Sequence, residues 1–196
     1  MKRRSVLKAG LATSLLPLLG LGGVAKAFDL KSSIQLKAIL SDRRFPMSSA
    51  FGARAAAMGI PHLATNGDIT AIWLKHLDPL WREGKASIMG LTTQDQLFCL
   101  ERLAWDRGMK VLMRVEHRDM GRGEITHIID APALLTAQST LALQHENLWP
   151  SELASLLGSC SPSQCIGHRS SREVTSKGRL GEHLVSWVIV PASQVS

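Results

Sequence analysis

Short segments with an apolar residue at every second position alternate, from residue 34 onward, with longer segments whose apolar residues recur every three or four positions. That alternation restricts the chain to folds in which helices pack against a sheet. Ile34, Leu36, Ala38 and Leu40 repeat with period two, as a strand with one buried face requires. The alanine-rich residues 45–58 predict a helix closed by Gly59. Residues 60–64 predict a second strand, leading into Asn66-Gly67-Asp68, and residues 70–81 a helix that Pro79 kinks or shortens. Residues 86–90 predict a third strand. Thr93 and Gln96 then stand at capping-box spacing at the head of a helix that stops at Gly108. Residues 109–115 complete this half as a fourth strand.

The second half begins with Met120-Gly121-Arg122-Gly123, a turn that predicts an antiparallel return over residues 124–129. Helical spacing follows over residues 133–145 and 150–157, and residues 158–181, rich in Ser, Gly and charge, predict a loop. Residues 183–190 contain Leu-Val-Ser-Trp-Val-Ile-Val, a β-rich run that predicts a final strand. The expected fold is α/β: a mostly parallel sheet with helices on both faces and an antiparallel addition near the C-terminus. It resembles either a flavodoxin-like arrangement or a lobe of the periplasmic binding proteins.

The first 27 residues read as an export signal outside this fold. Lys2, Arg3, Arg4 and Lys8 precede an uncharged 17-residue run, 9–25, interrupted by Pro17 and four glycines. A spanning helix needs ~20 strongly apolar residues, so the run fits a removable leader, and Ala25-Lys26-Ala27 matches an A-x-A cleavage site. One domain, residues 28–196, is then expected. Arg3-Arg4-Ser5-Val6-Leu7-Lys8 resembles the bacterial twin-arginine (Tat) signal, with Lys2 where Ser or Thr is usual and Val6 where Phe is usual. The competing reading is a general secretory signal that happens to hold paired arginines. The Tat resemblance implies folding before export, the Tat translocase as a partner in transit, and periplasmic residence. It permits a cofactor without requiring one.

The leader also carries most of the charge imbalance. It holds five of the 23 Lys and Arg residues and none of the 16 Asp and Glu, which leaves residues 28–196 with a net charge of +2. With no basic stripe or recognised module, a nucleic-acid partner is not expected.

In an open parallel sheet, ligands bind beyond the carboxyl ends of the strands, and the four expected ends are polar: Ser41-Asp42-Arg43-Arg44, Thr65-Asn66-Gly67-Asp68, Gly90-Leu91-Thr92-Thr93 and Glu116-His117-Arg118-Asp119. Asp42, Arg43, Asn66, Asp68, Thr92, Thr93 and Arg118 are therefore the candidate ligand-binding residues. Asp68 and Thr93 have a plain alternative use as helix caps, and Arg43 as solvated surface charge. Glu116-His117 is the acid–base candidate, since a carboxylate beside an imidazole raises its pKa, with Asp68 as a third member if the protein is an enzyme.

Cys160 and Cys165 flank Pro162 closely enough to close a small disulfide loop, while His168 makes C-x4-C-x2-H a competing metal reading that lacks a fourth ligand. Two free thiols are the third alternative. Cys99, between Phe98 and Leu100, reads as a buried, inert hydrophobe. The tryptophans read as core, with Trp73 and Trp81 near Pro79 as an alternative partner surface. Residues 28–196 contain no G-x-S-x-G, P-loop, H-E-x-x-H or C-x-x-C motif.

Two function classes remain. One is a non-catalytic exported protein that binds a small anionic or aromatic ligand or accompanies a periplasmic redox or catabolic enzyme; the other is a small hydrolase or transferase using Glu116, His117 and Asp68. Replacing both Arg3 and Arg4 by lysine is expected to leave the protein in the cytoplasm with its leader uncut. Cell fractionation followed by intact-mass measurement checks this; export of the double variant at the normal level points to the general secretory route.

Overall fold

The computed structural model describes residues 35–160 and 167–194. Within them, β1 (Leu36–Asp42), β2 (His62–Thr65), β3 (Ser87–Thr92), β4 (Met109–Asp119), β5 (Glu124–Pro132), β6 (Arg169–Lys177) and β7 (Leu184–Pro191) form one sheet in the order β2-β1-β3-β7-β4-β5-β6. β1 pairs in parallel with β2 and β3, and every other pairing is antiparallel. The sheet is therefore mixed, parallel at one end and antiparallel at the other, where a mostly parallel sheet was expected. β7 is no peripheral addition: it lies between β3 and β4, buried along its whole length. A strand apolar on both sides is stable only at the centre of a sheet covered on both faces.

The helices supply that cover. Phe51 and Ala55 of α1 (Pro46–Ala57), Leu135 and Leu143 of α5 (Ala133–Leu143), and Trp149, Leu153 and Leu157 of α6 (Trp149–Gly158) pack on one face, against Ile39, Met89, Val115, Ile129 and Val188. The other face carries Leu77, Trp81 of α3 (Asp78–Glu83), and Leu97, Leu100 and Ala104 of α4 (Gln94–Trp105), set against Leu40, Ile88, Trp187 and Ile189. β1 is thus covered on both sides, and Ala38, Ile39 and Leu40 are all buried. Its period-two pattern had suggested one buried face.

Local chemistry explains the remaining departures. The helical stretch after β2 runs as α2 (Thr70–Ile72), a π-helical turn at Trp73–Leu77, and α3. The widened turn falls just ahead of Pro79, whose ring and missing N–H do not fit a regular helix interior. β4 continues four residues past its expected end, so Glu116 and His117 lie within a strand and not in a loop. β6 occupies part of the expected loop 158–181; as an edge strand it buries only Val174 and Ser176, so its sequence carries almost no apolar signal. Cys165 and the leader lie outside the described residues, and with them the Cys160–Cys165 pairing and the signal-peptide reading. Among the described residues no helix is long and apolar enough to cross a membrane.

Gly90 lets two layers meet at the centre of the sheet. A Cβ there would fall 2.4 Å from Cζ2 of Trp187 and 3.0 Å from the Leu40 carbonyl oxygen. Gly90→Ala is expected to cost ~1–3 kcal/mol through overpacking. Gly84→Ala, in extended backbone with open space around it, should stay within about 0.5 kcal/mol of the parent. Urea unfolding of both variants measures the difference.

Candidate functional site

Because β3 and β4 are each antiparallel to β7, they run in the same direction as β1 and β2. The four polar strand ends consequently share one edge of the sheet. Thr92 and Glu116 are level on it, each paired with Val185 of the intervening β7.

Several of the expected ligand-binding residues spend their hydrogen bonds on this edge itself. The buried Asp42 carboxylate accepts from Arg44 Nε (3.0 and 3.1 Å), from Arg44 Nη2 (2.7 Å) and from the Arg44 amide (3.1 Å). Burial alone would push this carboxyl up, but the Arg44 hydrogen bonds and charge hold it below its ordinary value. The Asp42 amide donates to Ser48 Oγ at 2.7 Å, and that hydroxyl donates to the Leu91 carbonyl. Gln96 joins β2 to α4, donating to Thr65 Oγ1 at 3.0 Å and accepting the Thr93 amide at 3.2 Å. Thr92 Oγ1 accepts the Trp187 indole N–H at 3.0 Å. Arg43 donates to the carbonyls of Thr65 and Ala64. Asp68 is exposed and accepts the Thr70 amide at 2.8 Å from one position ahead of Ile69, which occupies the N-cap of α2 without a side-chain capping bond. Asn66 is exposed beside it.

The Glu116-His117 pair is not formed. Successive strand residues point to opposite faces, so Glu116 turns toward the α4 side and pairs with Arg118 (2.5 Å), while His117 is fully buried on the other face. Its ring nitrogens meet His127 and Ser186, each at 2.6 Å. The expected rise in its pKa is reversed: burial, reinforced by the neighbouring His127, holds His117 well below its ordinary value. Elsewhere on the edge, Ser41 Oγ lies 2.7 Å from His62 Nε2. Ser41 is buried against Gly52 of α1, where a Cβ would fall 2.8 Å from that oxygen.

The open space on the rim lies over the first turn of α4. Two adjoining pockets, about 740 and 460 Å³, share Gln94 and His183. Phe98, Asp95 and Glu182 line the first, and Glu116, Arg118 and the fully buried His117 border the second. The Asp42 hydrogen bond raises the Arg44 pKa, and the nearby charges of Glu182 and Asp95 add to it. A third pocket of about 300 Å³, on the far side of α4, is lined by Asp68, Trp73 and Cys99. Cys99 is exposed there, contrary to the buried position its apolar neighbours suggested. Of the tryptophans, Trp81, Trp149 and Trp187 are core, Trp73 is half-buried and Trp105 is exposed.

Arg118, Thr93 and Glu116 are thus the candidates that reach the groove, with His117 bordering it while its ring stays buried, and Gln94, Asp95, Phe98, Glu182 and His183 were missed. Glu182 and His183 belong to it because β7 runs antiparallel, which brings the amino end of a C-terminal strand to the carboxyl edge of the others. Among the described residues no three His, Cys, Asp or Glu side chains converge as metal ligands. No family model matches this chain, and no curated protein and no solved structure is significantly similar to it.

Arg44→Ala strips the buried Asp42 carboxylate of its counter-charge. The expected cost at pH 7 is about 1–2 kcal/mol, moderated by the partial exposure of the arginine. Asp42 has a depressed folded pKa, so its stabilisation is present above the unfolded carboxyl value and is lost as pH falls through the folded one. Urea titrations at pH 7 and pH 3 should therefore show a gap between parent and variant that narrows in acid.

Proposed function

We propose that the chain is an exported periplasmic protein that binds a small anionic or aromatic ligand, without transforming it, in the groove over the first turn of α4. The observation that carries this reading is that the Glu116 and His117 side chains project to opposite faces of the sheet, with Glu116 on Arg118 and His117 buried on His127 and Ser186. The specific Glu116–His117 pair expected for a hydrolase or transferase is not assembled at the mouth, whereas binding groups are present. Phe98 offers an aromatic face, Arg118 and His183 offer donors to a carboxylate or similar anion, and helix N-termini favour negative charge. Asp95, Glu116 and Glu182 set a counterweight that would disfavour highly charged anions such as polyphosphates.

The β2-β1-β3 order, with α1 on one face and α4 on the other, supports a flavodoxin-like or binding-lobe reading for that half of the sheet. The Tat-like leader supports export of a folded protein. A second role, as accessory to a periplasmic redox or catabolic enzyme, is favoured by one surface feature beside the groove. Phe98 and Trp105 of α4 are half exposed, with the Arg102 guanidinium over both rings at 5.1 and 4.2 Å. Aromatic and arginine side chains of this kind are enriched at the centres of protein interfaces.

Benzoate, an aromatic carboxylate, probes the groove directly. Its addition is expected to produce saturable NMR shifts at Gln94, Phe98, Arg118 and His183, and Arg118→Ala should weaken its affinity about tenfold, equivalent to ~1.4 kcal/mol. Nitrophenyl ester, phosphate and sulfate substrates should all remain uncleaved. Turnover of any of them that disappears in Glu116→Gln overturns the binding role in favour of the enzyme, and absence of any shift along the rim removes the ligand assignment.

A further inference from the structure

Four side chains outside the groove form a continuous polar line through the core on the α6 side of the sheet. Ser186 Oγ lies 2.6 Å from His117 Nε2, His117 Nδ1 lies 2.6 Å from His127 Nδ1, and His127 Nε2 lies 2.8 Å from Ser176 Oγ. All four residues are buried, with both histidines at 0% exposure. Trp149 covers the pair. Its ring is stacked on His117 with centroids 4.2 Å apart and meets His127 edge-on at 5.1 Å, and its own Nε1–H has no hydrogen-bond partner.

Proton counting defines what this line can do. A hydrogen bond between two Nδ1 atoms requires one proton between them, so in the neutral state one ring is protonated on Nδ1 and the other on Nε2. With His117 donating from Nδ1, its Nε2 accepts the Ser186 hydroxyl and His127 donates from Nε2 to Ser176; the opposite polarity is equally complete. One added proton on the Nε2 of whichever ring donates from Nδ1 keeps every hydrogen bond, because the serine hydroxyl beside it turns from donor to acceptor. On either ring the resulting charge lies within about 5 Å of the Trp149 ring, where a cation–π attraction offsets part of its desolvation. A second added proton places N–H groups on both Nδ1 atoms and sets two positive charges face to face, so that contact must break.

We propose that this Ser186–His117–His127–Ser176 line is an acid-responsive latch that takes up one proton without rearrangement and parts β4 from β5 near the rim when it takes up a second. Among the described residues the pair has no anionic partner. On β7 and β6 the register neighbours of His117 and His127 are Leu184 and Val174, and α5 carries no charged residue. Arg172 of β6 is exposed, as are His145, Glu146 and Glu152 at and before α6. Asp119, two residues along β4, is already held by the amides of Gly121, Leu180 and Gly181. Burial keeps both imidazoles below their ordinary value, His127 at about 4. Their contribution to stability is therefore full above the unfolded histidine value and is lost as pH falls from there toward 4. Glu116 and Arg118 flank His117 and line the groove, so opening would displace them; that last consequence rests on the binding role proposed above, and the latch itself does not.

An imidazole ¹⁵N NMR titration of the full chain from pH 7 to 2, with amide hydrogen exchange, tests the latch without any ligand. At pH 7 the two rings should show opposite tautomers. Acidification should give two proton uptakes, the first with residues 115–119 and 125–129 still protected. The second should lower protection there at least tenfold while β1 and β3 keep theirs. Identical tautomers at pH 7, a single joint uptake, or simultaneous loss of protection across the whole sheet each overturns the proposal. His127→Phe, which keeps a ring under Trp149, should abolish the local opening; its persistence at unchanged pH counts equally against the latch.

Discussion

The pairing of β7 with β3 on one side and β4 on the other is the constraint from which the rest of the structure follows. It joins a parallel half, β2-β1-β3, to an antiparallel half, β4-β5-β6, and it is the sole connection between them within the sheet. It also makes β3 and β4 run in one direction although they are not neighbours. Four polar strand ends are thereby placed on one edge, and the amino end of β7 adds Glu182 and His183 to them. Without this strand the groove would have one wall.

Burial on both faces makes such a strand affordable to the chain only because both faces are packed. Trp187 fills one side, over the bare backbone of Gly90, and Val188 and Val190 fill the other. Each apolar side chain buried this way contributes on the order of 1.5–3 kcal/mol before conformational entropy is counted. Many of the polar groups caught in the same layer have partners, Trp187 N–H with Thr92, Asp42 with Arg44 and Ser48, and Gln96 with Thr65, while Thr93 Oγ1 and Trp149 Nε1 are buried without one. These ties hold the strand ends at fixed heights, which explains why so many polar residues at the rim serve the scaffold and comparatively few face the open groove.

Much of this was readable from residue spacing. The strand–helix alternation, Thr93 and Gln96 at the head of α4, Gly108 behind it (φ +67°) and the hairpin turn at residues 120–123 all depend on neighbours within a few positions, and all took their expected form. β6 escaped notice because an edge strand with two inward residues has no apolar period to detect. Cys99 misled because Phe98 and Leu100 describe its chain neighbours, while the helix turns it toward a surface pocket. The Glu116-His117 reading failed on period: adjacent residues approach one another in a loop but diverge in a strand, and β4 ran longer than its apolar pattern.

The sequence by itself determined the layered α/β architecture, the identity of the central apolar strands and the concentration of polar residues at strand ends, because each is written in local periodicity and turn chemistry. Only the tertiary structure decided that the last strand enters the middle of the sheet, that Glu182 and His183 join the rim, and that His117 meets His127 and Ser186 in the core. Those outcomes depend on which strand pairs with which, and pairing is a contact between residues up to about a hundred positions apart whose side chains record only how deeply they are buried, not whom they meet.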